Sequence, residues 1–169
     1  MLNDNKKELD NLMNRYSKDL AGLKSKKVED KAAGEAFMAE LKRLEKEIIW
    51  PVLVDVGNQL NAYGHDYHIS QEDEYVDATA HTQPASITFN IYPATIERMF
   101  YKPESTPYIS FVANRYARKI GIMVSTFMPN EGGVVGSHGD FDPSQITKEF
   151  VEKEIVAVLK NTLIFHKDK

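Results

Sequence analysis

The chain has 169 residues, 42% apolar and 27% charged, a formal net charge of −4 and no cysteine. These values exclude disulfides, thiolate metal sites and a thiol nucleophile, a chain too polar to fold, and the basic excess of a general nucleic-acid binder. The longest apolar run, residues 48–54, is far short of the roughly 18 residues a membrane span needs, and MLNDNKKELD lacks the apolar core of a secretory leader. A cytoplasmic location with no membrane partner is therefore expected.

The first third reads as helix. At 100° per residue, Leu2, Leu9, Leu12, Met13, Tyr16, Leu20 and Leu23 fall within about 100° of one another, one face of an amphipathic helix. The stretch AGLKSKKVEDK then breaks the pattern, with Gly22 as a stop signal and Ser25 or Asp30 as caps of a new start. The spacing predicts a first helix over about 3–24. Residues 1–27 read as an N-terminal amphipathic helix able to drive oligomerisation, and residues 28–169 as a single α+β domain.

A second helix begins near Val28–Lys31, with Phe37, Leu41, Leu44 and Ile48 in a narrow stripe. Beyond Pro51 the stripe of Ile49, Val52, Leu53, Val56, Leu60 and Tyr63 centres about 80° further round. Proline lacks a donor and its ring clashes with the carbonyl four residues back, which predicts a kink or break at Trp50–Pro51. Gly64 follows NAY in the position where a left-handed residue ends a helix.

From His65 to about Asp140 the period is two. ASITFNIY alternates Ile87, Phe89 and Ile91 with Ser86, Thr88 and Asn90, while PYISFVAN and KIGIMVSTFM are rich in β-branched and aromatic residues. DEYVDATAH is a weaker strand with Val76, Ala78 and Ala80 inward; residues 94–101 fit neither strand nor helix clearly. A closing helix is expected over about 143–165, with Val151, Ile155, Val158, Leu159, Thr162 and Phe165 on its apolar face. Helices grouped at the ends of a run of strands indicate α+β: two N-terminal helices, an antiparallel meander of four to six strands, and a C-terminal helix packed on the sheet.

Most of the chemistry-bearing residues cluster in three places. NEGGVVGSHGDFDPSQ, residues 130–145, has glycines at 132, 133, 136 and 139, but neither the lysine of a phosphate loop nor the spacing of a dinucleotide fingerprint. Asp140 and Asp142 stand where an anion would need a positive helix end, so the stretch reads as a hairpin followed by a cap at Asp142, with Pro143 at the first turn and Gln145 three residues on. Asp66 with His68, and His138 with Asp140, are each two apart and face one way on a strand. If the two segments were adjacent, their nitrogen and oxygen ligands would suit zinc. Ser137 beside His138 is not a nucleophile elbow, and the acidic run QEDEYVD reads as a solvated strand edge.

The third cluster is NRYARK, between two strong strands. It places Arg115, Arg118 and Lys119 around Tyr116 on a hairpin tip, a set suited to an anionic or protein partner. Arg98 and Lys102 would extend it if their segment lay alongside. Three function classes remain. The first is a non-enzymatic protein-interaction, adaptor or chaperone-like module that forms a homodimer through its N-terminal helices. The second is a metal-dependent or acid–base hydrolase using His and Asp near 65–68 and 138–142. The third is a ligand or nucleic-acid contact through the tip at 114–119. No cofactor is expected, and nucleic acid is disfavoured by the net charge.

Overall fold

The computed structural model describes residues 2–94, 106–127 and 132–165, with side chains through Leu163. The unassigned stretch from residue 95 onward, Arg98, Lys102, and the turn residues 130 and 131 lie outside the described residues. The chain divides into two compact units, Met1–Phe37 and Met38–Lys169.

The first unit is helix from Asn3 onward, because α1 runs without interruption over Asn3–Leu44. The two separate helices expected before and after residues 24–28 are one. Gly22 costs only about 1 kcal/mol relative to alanine, and the flanking Ala, Leu, Lys and Glu residues are strong helix formers. No proline occurs before Pro51, so nothing removes a donor from the ladder. The apolar stripe is present and faces water: Leu9, Leu12, Met13, Tyr16, Leu20 and Leu23 are between 38% and 62% exposed.

In the second unit α1 passes into a π-turn over Glu45–Ile49 and then into α2, Trp50–Ala62. The Trp50 N–H donates to the Glu45 carbonyl, five residues back. This wider turn is the irregularity found where a kink or break is expected at Trp50–Pro51; it lies directly ahead of the proline ring that an α-helix would press against a carbonyl. One extra residue per turn shifts the phase by roughly 100°, which accounts for the rotation of the apolar stripe beyond Pro51. Arg43 holds Glu40 at 2.6 Å and Glu47 at 2.9 Å across the start of the turn. Gly64, at φ 86°, ends the run in the left-handed region, and His65 N–H closes back on the Leu60 carbonyl at 3.0 Å.

The strands are β1 (Asp66–Glu72), β2 (Tyr75–Val76), β3 (Thr82–Gln83), β4 (Ser86–Tyr92), β5 (Tyr108–Asn114), β6 (Lys119–Ser125) and β7 (Val135–Phe141). Five form one antiparallel meander in the order β1-β4-β5-β6-β7, and β2 with β3 make a separate small hairpin. That hairpin departs from the inward-facing strand expected at 73–81, since Val76, Ala78 and Ala80 are all exposed. Asp77 organises it instead. Its carboxylate accepts from the backbone N–H groups of Thr79 (2.9 Å) and His81 (3.0 Å), the Thr79 hydroxyl (2.6 Å) and the Gln83 amide (2.7 Å). Turn geometry wins over the alternation of apolar residues.

One face of the sheet is the core. The register aligns Ile69, Phe89, Ile109 and Val124 in one row, and Ile87, Phe111 and Ile122 in the next. Phe89 and Phe111 are fully buried, and each such side chain contributes about 1.5–3 kcal/mol. Val52, Leu53 and Leu60 of α2 are buried, as are Val151, Ile155 and Val158 of the closing helix α3, Lys148–Phe165. Phe141 meets Phe150 edge-to-face at 4.8 Å, tying β7 to the first turn of α3.

Candidate functional site

The hairpin tip lies between β5 and β6, whose last and first residues, Asn114 and Lys119, pair. Asn114 Oδ1 accepts the Ala117 N–H at 3.0 Å, and Arg118 takes a left-handed φ of 54° to close the turn. The four residues singled out here do not form one free cationic patch. Arg115 reaches Glu74 at 2.7 Å, and the Lys119 ammonium lies 2.9 Å from the Asp142 carboxylate. Tyr116 is 93% exposed and Arg118 is also exposed. The tip thus offers a solvent-facing ring between cations, two of which are matched by carboxylates from either side.

The two His/Asp pairs are not brought together. Asp66 and His68 lie on β1 and His138 and Asp140 on β7, the opposite edges of the sheet. Four strand spacings of about 4.8 Å separate them. The second pair is also split internally. Ile122 faces Gly139 while Met123 faces Ser137, so His138 is the extra residue of a bulge. Its Nδ1 lies 3.1 Å from Glu154 on α3, whereas Asp140, opposite Gly121, faces the other side of the sheet. Among the described residues no three His, Asp or Glu side chains converge as a metal site would require.

The glycine-rich stretch runs through β7, which holds Gly136 and Gly139, into a short 3-10 turn at Pro143–Gln145. Asp142 caps that turn and not the closing helix. Gln145 N–H donates to the Asp142 carbonyl, and Asp142 N–H to the Gln145 side chain, both at 2.9 Å. The cap of α3 is Thr147, whose hydroxyl accepts the Phe150 N–H at 3.1 Å. Lys148 and not residue 143 is the first residue of the helix.

A concavity lies on the sheet face away from α2 and α3. A hollow of about 570 Å³ has His68, Ser70, Thr88, Asn90, Tyr108 and Ser110 on its walls. A second, of about 370 Å³, adjoins it through Val112 and Met123 and extends to Arg115, Tyr116 and Asp140. Thr88 and Ser110 hydroxyls are 2.8 Å apart across the pair of central strands, with Ser110 nearly buried. Such a face presents hydrogen-bonding groups and aromatic rings. The alternation of Ser, Thr and Asn against Ile and Phe is its sequence signal, but concavity depends on the pairing of five strands.

Glu45 is a second residue that composition and motif alone miss. It is 5% exposed, inside the π-turn, with Oε2 accepting from Gln71 Nε2 at 2.5 Å and Oε1 without a partner among the described residues. Burial pushes its carboxyl above the usual range; the Gln71 hydrogen bond opposes this, Asp73 adds to it, and Lys42 opposes it. The signal in the sequence is positional, since Glu45 falls at 40° from Leu41 on the wheel, between the two apolar stripes.

Compared with protein-family models, curated proteins and solved structures, the chain finds no match.

Proposed function

We propose that the chain is a non-enzymatic protein-interaction module that self-associates through the N-terminal part of α1. The exposed apolar stripe carries this reading. Leu2, Leu9, Tyr16 and Leu23 recur every seven residues, with Met13 and Leu20 four residues after Leu9 and Tyr16, which is the spacing of a coiled-coil seam. The partner that fits is a second copy in antiparallel orientation. Asp10 follows Leu9 and Lys24 follows Leu23, so antiparallel alignment puts opposite charges beside the seam. Burial of the stripe at about 25 cal/mol per Å² supplies the driving force.

Light scattering on the full chain across a range of concentrations tests the reading. A dimer mass is expected, with a monomer mass for a Leu9→Ser, Leu20→Ser variant. A parent chain that stays monomeric at the highest concentration sinks it.

A second reading, ligand contact at the hairpin tip, is favoured by the hollow that Arg115 and Tyr116 border. Its probe is heparin. Alanine at Arg115, Arg118 and Lys119 should shift elution to lower salt if the tip holds an anion, and unchanged elution leaves it an ordinary turn.

A further inference from the structure

We propose that the larger hollow on the open sheet face is a binding site for a neutral polyhydroxylated ligand, a saccharide of one or two rings. The strand register builds it as a grid. Ser70, Thr88 and Ser110 lie side by side on β1, β4 and β5, and His68, Asn90 and Tyr108 form the adjoining row. Every member of the first row is a hydroxyl that both donates and accepts. The second row adds an imidazole, an amide and a phenol.

The chemical class follows from what the walls contain and lack. Among the described residues no Arg, Lys, Asp or Glu lines this hollow, so against these walls an anion or a cation would lose its hydration without gaining an opposite charge. An apolar ligand would strip water from the hydroxyl rows and return no hydrogen bond. A sugar ring offers alternating donors and acceptors to the grid and a C–H face to Tyr108, Val112 or Met123. The volume of about 570 Å³ is that of a small-molecule site, for which roughly 300–1,000 Å³ is usual. Central β4 and β5 supply most of the polar groups, and both are anchored on their other faces by fully buried Phe89 and Phe111. The grid is therefore held in place before any ligand arrives.

The test is a two-dimensional amide NMR titration of the full chain with glucose, galactose, N-acetylglucosamine, maltose and cellobiose, against inorganic phosphate, butylammonium and uridine. Saturable shifts are expected with at least one saccharide, confined to residues of β1, β4 and β5 around the grid. Thr88→Val keeps the shape and removes one hydroxyl, and roughly fivefold weaker binding is expected from the loss of one neutral hydrogen bond. Ser70→Ala, on the edge strand, should also weaken binding and serves if Thr88→Val disturbs the amide spectrum. Three results overturn the proposal: no saturable shift with any saccharide, tighter binding of phosphate, butylammonium or uridine, or saccharide affinity unchanged in both variants. None of these depends on the oligomeric state of the chain.

Discussion

Gly57 of α2 lies directly against the ring of Tyr67 on β1: a methyl group at Gly57 would come within 2.3 Å of the Tyr67 Cζ. Tyr67 in turn stacks on Phe89, with ring centroids 5.5 Å apart. The glycine is what lets the helix sit on the first strand. Gly57→Ala gains about 1 kcal/mol of helix propensity but forces the ring off its position, at about 1–3 kcal/mol. A net loss of stability is expected in denaturant unfolding, and it should shrink when Tyr67 is replaced by alanine in the same chain. A variant more stable than the parent would show that the ring moves aside freely.

The caps after β7 make a second prediction. Thr147→Ala should cost about 1 kcal/mol, the usual loss of an N-cap. Asp142→Ala removes a Lys119 pair whose side chains are 40% and 55% exposed, so its ion-pair part is about 0–1 kcal/mol and fades with salt. Urea unfolding of both variants at low and high salt separates them. If Asp142→Ala costs clearly more than Thr147→Ala at high salt, the assignment of the helix cap is wrong.

The Glu45 carboxyl makes a third, with a definite sign. Its folded-state pKa is raised above the ordinary 4.5, chiefly by burial. Below the unfolded value both states hold the proton and the full stability is present. Stability is then lost as pH rises through the folded value, about 1.4 kcal/mol for each unit of difference. Glu45→Gln keeps the size and an acceptor for Gln71 without the charge. It should match the parent in melting temperature near about pH 4 and exceed it progressively toward neutrality. Parallel melting curves across that range would mean the carboxylate is comfortably solvated.

Asp77 titrates in the opposite sense. Hydrogen bonds from Thr79, Gln83 and the His81 backbone hold its pKa down to about 2, against an ordinary 3.8. Its contribution is present above the ordinary value and is lost as pH falls from there toward about 2. The amide resonances of Thr79 and His81 should report the loss of the β2–β3 turn in that window, ahead of the core strands. Shifts that appear only with global unfolding would show that the turn has no stability of its own to lose.

Much of this architecture is legible in the chain because it rests on short-range periodicity. The alternation of Ile87, Phe89 and Ile91 marks β4, and those residues are buried where the pattern puts them. The stripe from Leu9 to Leu23 marks a helix face, and the phase change at Pro51 marks the place where the helix is disturbed. Gly64 ends α2 in the left-handed conformation its position suggests. Each depends on residues within a few positions of one another, whose relation is set by backbone geometry alone.

Tertiary structure decides the rest. Continuity of α1 across residues 24–28 is a sum of small propensities that no single stop signal overrules. Placement of Asp66 with His68 and of His138 with Asp140 on opposite sheet edges follows from strand order, which local pattern does not encode. The bulge that turns His138 toward Glu154 is a property of the pairing between β6 and β7, since one unpaired residue reverses the faces that a two-residue spacing would share. The hydroxyl grid and the buried Glu45 likewise exist only once distant segments meet. Periodicity fixes which face of an element is apolar; long-range pairing alone determines which polar groups share a surface.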